Sequence, residues 1–532
     1  MKKISLLAIG LFSMAFSYAQ EISDALLYSQ SEIQGTARFR ALSGAFGALG
    51  GDMSAVSINP ASSAVFTRSH FSFTLSNLNA KNNTDYFGNN VKTNESTFDV
   101  NQGGAAFVFS SRSNSPWKKL TLGIAYDKTN DYNNSWNAIG VNTNDDGNFS
   151  NSIASYFYDY TDGLEKYIFT PSGQELVDYF YINNSQAQND PEQFFDNNPH
   201  LYYELGYQFL GEVENYGVQQ AFLGYQAYIL DPVEDTDENT EYIANVGTGN
   251  FTHDYLYTST GYNGKIAFNF ATQYEDNLYL GINLNSHFIN YDRTTSLLED
   301  NDNGGAITAI DFDNTLSTTG NGFSFQVGGI YKLTPEFRIG LTYDSPTWYT
   351  IEEETTQYIN SNNAPNDIGF ISTIVNVYPR YKLKTPSKIT GSLAYVFGNR
   401  GLISFDYSNK DYSKTEFQPT NDAFYQEQNE IMSNVFTSSS TYRIGGELKH
   451  KQFSFRGGYR FEESPYEDGI TVGDLEGYSL GLGISFGKTK LDLTYDQWER
   501  SYATPLYNLG LIDTASINRK NSNLTLSLAF NI

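Results

Sequence analysis

No cysteine occurs in the 532 residues, which excludes disulfide frameworks, thiolate metal sites, cysteine nucleophiles and an N-terminal lipoprotein anchor. Basic residues are scarce: 33 Lys and Arg face 60 Asp and Glu, a formal charge of -27 that opposes nucleic-acid binding. The five histidines, at positions 70, 200, 253, 287 and 450, form no close pair and no HExxH string, so the sequence calls for no metal and no cofactor. No phosphate-cradling loop is present. Past the first twenty residues no apolar run is long enough for a transmembrane helix, which needs about 20 residues. The string Gly477-Tyr478-Ser479-Leu480-Gly481 matches the nucleophile elbow G-x-S-x-G, but that motif requires a strand-to-helix turn. Here it lies within an alternating strand pattern. No enzyme is read from this chain.

What is present is aromatic and strand-forming. Tyr (41) and Phe (38) bring the aromatics to 16% and glycine reaches 45, while the mean hydropathy is only -0.44. Strands that show alternate residues to lipid have this composition. Lys2, Lys3, the apolar stretch Ile4 to Phe16 and the small-x-small end Ser17-Tyr18-Ala19 read as a signal peptide over residues 1–19. An exported chain without a spanning helix is either released or inserted as a barrel.

Period-two alternation is clearest toward the C-terminus. Tyr442, Ile444, Gly446 and Leu448 alternate with Arg443, Gly445, Glu447 and Lys449; Phe453, Phe455, Gly457 and Tyr459 alternate with Ser454, Arg456, Gly458 and Arg460. Leu524, Leu526, Leu528, Phe530 and Ile532 share one face of a last strand that ends with the chain. Such patterns define strands with one apolar and one polar face. Strands are expected near 67–79, 96–111, 117–132, 262–273, 277–292, 322–333, 336–350, 380–397, 401–413, 439–450, 452–463, 476–487, 489–500 and 521–532. Fourteen is an even number, as a single-chain bacterial barrel requires. Short links (274–276, 334–335, 398–400 and around Lys451) alternate with long ones (80–95, 133–261, 293–321, 351–379, 414–438, 464–475 and 501–520). Short turns on one side and long loops on the other are the outer-membrane arrangement. The fold class is therefore all-β, a 14-stranded antiparallel transmembrane β-barrel over residues 67–532.

Within 133–261 there are twenty acidic residues and one basic residue, Lys166. A solvated external loop accounts for this, with a divalent-bridged surface layer as the alternative. Asp300 to Gly304 resembles a calcium loop only loosely: Gly305 stands at position six as required, but position five is Gly304 and position twelve is Asp311 in place of Glu. Asn142 to Gly147 departs too, with Ile153 where the closing Glu belongs.

Residues 20–66 do not alternate. Leu42, Phe46, Leu49 and Met53 recur at helical spacing among Gly44, Gly47, Gly50 and Gly51. Asp52 is placed to cap a second short helix running toward Ile58, and Asn59-Pro60-Ala61 breaks it. Short, small-residue helices suit a confined space, so this segment is read as a helical plug in the lumen. Leu42, Phe46 and Leu49 form its apolar surface, and Asn59, Pro60 and Ala61 fix its turn.

Residues 35–64, with Asn59-Pro60-Ala61, resemble the N-terminal hatch of the FadL/TodX family of outer-membrane transporters. Pro335, Gly340, Tyr343 and Ser345, then Arg443 with Gly445, and Arg456, Gly458, Tyr459, Ser464 and Pro465, are similar to later hairpins of that family. The resemblance implies fourteen strands, a lumenal plug, passage of hydrophobic small molecules, and release through a lateral opening beside a kinked third strand. The departures are the length of 133–261 and the lack of counterparts to the family's ligand-contacting loop residues. The expected third strand turns polar after Tyr126, which permits a kink. Lumen-facing candidates are charged: Arg443, Glu447, Arg456, Arg460 and Asp492.

The first functional reading is an outer-membrane transporter for fatty acids or aromatic hydrocarbons, by capture in a lumenal pocket and lateral release. A second is a non-transporting barrel scaffold or accessory subunit of a protein-secretion system, with a protein partner at 133–261. A third is a general porin. The expected partners are outer-membrane lipids and lipopolysaccharide, a hydrophobic small-molecule ligand, and the barrel-assembly machinery during insertion. The expected location is the outer membrane of a Gram-negative cell.

Overall fold

The computed structural model describes residues 22–112, 114–144, 147 and 149–532. The expected signal peptide, 1–19, lies outside the described residues. Fourteen strands form one closed antiparallel barrel: β1 His70–Tyr86, β2 Asn89–Ser110, β3 Trp117–Asp131, β4 Phe251–Tyr274, β5 Leu278–Asp300, β6 Ala309–Lys332 and β7 Phe337–Asp344. The remainder are β8 Lys388–Val396, β9 Gly401–Asp411, β10 Ser438–His450, β11 Phe453–Glu462, β12 Val472–Phe486, β13 Thr489–Pro505 and β14 Thr514–Asn531. Each pairs with the next, and β14 closes on β1 from His70↔Asn531 to Asp85↔Ser516. Closure leaves no sheet edge, the condition for a strand-built protein to sit in lipid.

The side-chain alternation sets which face is which. On β14, Leu524 and Leu526 are 52% and 44% exposed, while the intervening Asn523 and Thr525 are buried. The same inversion recurs on β12, where Leu480 and Leu482 are exposed and Ser479 is buried. Leucine out and serine in is wrong for a barrel in water and right for one whose solvent is hydrocarbon. Among the described residues no helix is long and apolar enough to cross a membrane; the crossing elements are strands.

Several expected external loops are instead strands that continue past the apolar belt. β1 and β2 run on to a two-residue turn at Phe87-Gly88, both with positive φ (48° and 77°), where a loop over 80–95 was expected. β5 and β6 stay paired up to Asp300↔Ala309, and β13 and β14 up to Pro505↔Thr514. Above the lipid both faces of a strand are polar, so the alternation that identifies it disappears while the backbone ladder persists. The expected strand 336–350 is β7 followed by a separate segment, Trp348–Ser361, divided at Ser345-Pro346. The expected strand 380–397 is likewise Tyr381–Lys384 followed by β8.

The acidic stretch 133–261 is not a loop either. Asn134–Asn142 pairs with the upper part of β4. Between them a helical cap is built from α1 Ala154–Thr161, α2 Pro199–Val213, α3 Tyr216–Gln226 and four shorter helices. Phe157, Tyr207 and Phe222 are fully buried within it, and Phe312 of β6 joins the same core.

Candidate functional site: a plugged lumen and the cavity above it

Residues 22–66 lie inside the barrel. Only Ile22–Ser29 and Ala37–Ala41 are α-helical, with single 3-10 turns at Ser54–Ser57 and Pro60–Val65. The helical spacing of Leu42, Phe46, Leu49 and Met53 therefore does not make one helix. Ser43, Gly44, Gly50 and Gly51 have positive φ, and each such residue turns the chain. Leu42, Phe46 and Leu49 nevertheless meet in one cluster with Phe39, against Ala394 and Leu402 of the wall.

The plug is fastened by charge and by close approach. Arg38 Nε lies 3.0 Å from Glu447, whose same oxygen is 2.6 Å from Arg456, and Arg456 reaches Asp492 at 2.6 Å. Arg40 grips Asp496 with two nitrogens at 2.8 Å. Asp406 of β9 accepts the backbone N–H of Phe46 and of Gly47 at 2.9 and 3.0 Å. Asp52 accepts the N–H of Ser54 at 3.0 Å and the hydroxyl of Thr36 at 2.7 Å, so it ties two parts of the plug together. Asn59 ends the first 3-10 turn and caps the second: it accepts the N–H of Ala61 at 3.1 Å. Its amide donates to the carbonyls of Gly47 and, on the wall, Gly329, at 2.8 and 3.1 Å, while Pro60 occupies the first helical position, where no N–H is missed. Asn269, Asn283 and Gln326 sit side by side on β4, β5 and β6. They donate to the carbonyls of Pro60, Val56 and Ser57 at 2.9, 2.8 and 3.0 Å.

Wall glycines admit this contact. A side chain at Gly445 would bring its Cβ to 2.6 Å from the Leu42 carbonyl oxygen, and one at the opposite Gly458 to 2.6 Å from the Leu42 carbonyl carbon. The backbone of the plug lies directly on the backbone of the wall there.

Above the plug is a cavity of about 1210 Å³. Its lining includes the rings of Trp136, Tyr255, Tyr257 and Tyr291 from the barrel and of Tyr156 and Tyr216 from the cap, beside aliphatic side chains such as Leu26, Leu316 and Ile517. The cap is keyed to the barrel by a buried chain of hydrogen bonds. The Tyr86 hydroxyl meets His253 Nδ1 at 2.9 Å, and His253 Nε2 meets Glu299 at 2.9 Å. Glu299 in turn accepts the Ser152 hydroxyl at 2.5 Å and the Ile153 N–H at 2.7 Å. On the cap itself, burial holds the Glu214 carboxyl above its ordinary range. The ionised Glu214 therefore disfavours the folded cap, and that penalty is relieved as the pH falls through the carboxylate range.

Among the described residues the wall opens between β2 and β3. β2 and β3 are paired from Ser110↔Lys119 only to Gln102↔Asp127. Beyond that, β2 pairs with β1 alone and β3 with β4 alone. Asn101 forms a bulge in β2, β3 is irregular between Lys128 and Asn130, and the chain breaks at Tyr132-Asn133 before resuming as Asn134–Asn142. The window is spanned by an ion pair between Lys128 and Asp99 at 2.6 Å, and closed at its top by Thr93 donating to the Ser135 carbonyl at 2.5 Å. The plug stands behind it: Glu32 N–H donates to the Thr129 carbonyl at 2.9 Å, and Gly35 N–H donates to Asn101. Gln30, Glu32, Asn130 and Tyr132 also line the cavity, so the cavity extends to the window.

The five lumen-facing candidates divide into two sites, with Asp492 joining Arg456 at the plug. Glu447 and Arg456 lie at the plug, whereas Arg443 and Arg460 line the cavity. Arg500 and Arg519 line it too. Sequence reasoning missed them because they fall where β13 and β14 leave the apolar belt, at the margin of an expected loop. Ser479, the centre of the G-x-S-x-G string, faces the lumen and donates to the Ala41 carbonyl at 3.0 Å, a plug contact. Among the described residues no cluster of metal-ligating side chains occurs.

A closed fourteen-stranded barrel with an internal N-terminal plug and a cavity above it defines a class of plugged outer-membrane barrels. The model of the outer membrane protein transport family (OMPP1/FadL/TodX) matches residues 237–502, and the chain belongs to that family. It is a family of transport proteins rather than enzymes, and with the barrel it implies the outer membrane. A FadL homologue from Pseudomonas aeruginosa shares the fold at a TM-score of 0.52 and 11% identity, covering 94% of this chain and 99% of that one. The toluene transporter TodX of P. putida superposes at 0.49 and 12% identity, over 94% and 99% of the two chains. No curated protein matches in sequence.

Proposed function

We propose that this protein carries hydrophobic small molecules across the outer membrane, taking them into the aromatic cavity and releasing them sideways through the window between β2 and β3. The window supports this reading, because residues on its β3 side, Asn130 and Tyr132, line the cavity while the plug fills the barrel below. An apolar solute that has passed the polar outer leaflet gains nothing from a water-filled exit. A lateral one returns it to hydrocarbon at about 25 cal/mol per Å² of apolar surface. The plug residues Glu32 and Gly35, bonded to both sides of the window, are placed to shift when it is used. Fatty acids and aromatic hydrocarbons both suit the lining.

Closing the window tests this. The chain has no native cysteine, so Asp99→Cys with Lys128→Cys can be bridged by a short bis-maleimide in cells. Uptake of a labelled fatty acid should fall at least about tenfold on bridging, while each single variant treated alike stays near wild type. Undiminished uptake through a bridged window would overturn lateral release.

A further inference from the structure

The cavity wall nearest the plug carries a belt of cations arranged in a way that strands ordinarily avoid. Lys388 and Lys410 are direct partners across β8 and β9. Arg443 and Arg460 are partners across β10 and β11, and Arg500 and Arg519 across β13 and β14. All six line the one cavity. Like charges set directly opposite each other destabilise a strand pair, and three such pairs on one wall need compensation.

The protein supplies part of it, for Asp24, Glu32, Asp131, Glu462 and Glu463 line the same cavity. Lys388 pairs with Asp344 at 2.7 Å, and Arg460 and Arg500 share Glu462 at 3.3 and 3.8 Å. Among the described residues Lys410, Arg443 and Arg519 make no ion pair. Asp406, opposite Arg443 in register, directs its oxygens to the plug backbone at Phe46 and Gly47. Arg443, Arg460 and Arg500 are 9%, 5% and 8% exposed. The Nε of Arg443 and of Arg500, and Nη2 of Arg519, are buried without a hydrogen-bond partner. Buried donors left unmade are costly, and guanidinium donors are matched by anionic oxygens.

The charge left without a partner narrows the ligand. The Arg443–Arg460 and Arg500–Arg519 pairs are separated by β12, so their nearer strands, β11 and β13, lie about 10 Å apart along the wall at the usual strand spacing. Trp498 stands between them, with the Arg460 and Arg519 guanidinium carbons 6.0 and 5.5 Å from its ring centre. A single carboxylate brings one negative charge, and among the described residues three of the six cations, Lys410, Arg443 and Arg519, have no ion-pair partner. Resting on the proposed capture of hydrophobic solutes in this cavity, we infer that its ligands are amphiphiles whose head group carries more than one anionic charge, seated on the six-cation belt with the apolar body among the aromatic rings above. Phosphate monoesters and dicarboxylates are the chemistries that fit. The cavity, larger than the 300–1,000 Å³ of ordinary small-molecule pockets, has room for both head and body.

A series at constant chain length separates the terms. Hexadecyl phosphate, palmitate and 1-hexadecanol are titrated at pH 8 into the purified full-length barrel in neutral detergent. Binding is read from tryptophan fluorescence, to which Trp136 and Trp498 on the cavity wall contribute. Hexadecyl phosphate should bind about tenfold tighter than palmitate, and palmitate tighter than hexadecanol. Arg443→Gln with Arg519→Gln should erase the advantage of the phosphate while leaving hexadecanol unchanged. Equal affinity of palmitate and hexadecyl phosphate, or of all three, overturns this inference and leaves hydrophobic capture standing. No binding by any of them overturns both.

Discussion

The lower and upper halves of the lumen are built on opposite terms. Below, the wall is lined by glycine, asparagine and paired charges, and the plug lies on it backbone to backbone. Above, the wall is lined by aromatic rings and by cations in excess of their partners, and it encloses open space. In the lower half the plug arginines Arg38 and Arg40 are paired with wall carboxylates; in the upper half Lys410, Arg443 and Arg519 are left, among the described residues, without an ion-pair partner for a ligand to meet. Within one barrel, the same inward-facing positions thus serve closure at one level and recognition at the next. Arg443 and Glu447, two inward positions apart on β10, fall on either side of that divide.

Glu447→Ala should break the lower half most severely. It leaves Arg38 and Arg456 without their shared carboxylate, and removing one partner from a buried ion pair costs about 3–5 kcal/mol. Amide exchange over 35–66 should accelerate by two or more orders of magnitude and single-channel conductance should appear, while the strands remain protected. Protection of the plug equal to wild type would show that the ionic network does not hold it. Glu299→Ala makes the corresponding change in the upper half. Ser152, Ile153 and His253 lose an acceptor inside a buried site, worth about 1–3 kcal/mol. Exchange should rise in 149–226 and leave 35–66 untouched. If both segments loosen together, the two halves are one cooperative unit and the contrast drawn above fails.

The fourteen membrane-crossing segments were legible because lipid on one face and a polar lumen on the other imprint a period of two. Leu524 to Phe530 on β14 is an example. Where a strand rises above the lipid the imprint is lost, which is why 80–95 and 501–520 read as loops although their backbones stay paired for most of that length. The cap in 133–261 was hidden for a different reason. Its helices are short and pack through scattered aromatics such as Phe157, Tyr207 and Phe222, which leave no clean apolar stripe. In the plug, the residues that meet were readable and their backbone was not. Leu42, Phe46 and Leu49 form one cluster, but positive φ at Ser43, Gly44 and Gly50 replaces the helix that their spacing suggests. Gly445 and Gly458 carried information in the sequence whose meaning is a contact with a segment four hundred residues away. Of the six cations in the basic belt only Arg443 and Arg460 stand out in the sequence, because they lie in the clearest alternating strands, whereas Lys388, Lys410, Arg500 and Arg519 lie near strand ends.

The central claim is that the upper cavity holds a hydrophobic solute above a closed plug. Mass spectrometry of small molecules extracted from the barrel, purified from its native membrane in a neutral detergent, tests this most directly. The account predicts an elongated amphiphile retained near one per barrel from the wild type and depleted from a variant carrying bulky substitutions at Tyr257 and Tyr291. Recovery of no apolar molecule from the wild-type barrel, together with unchanged uptake of hydrophobic solutes in cells lacking the protein, would contradict it.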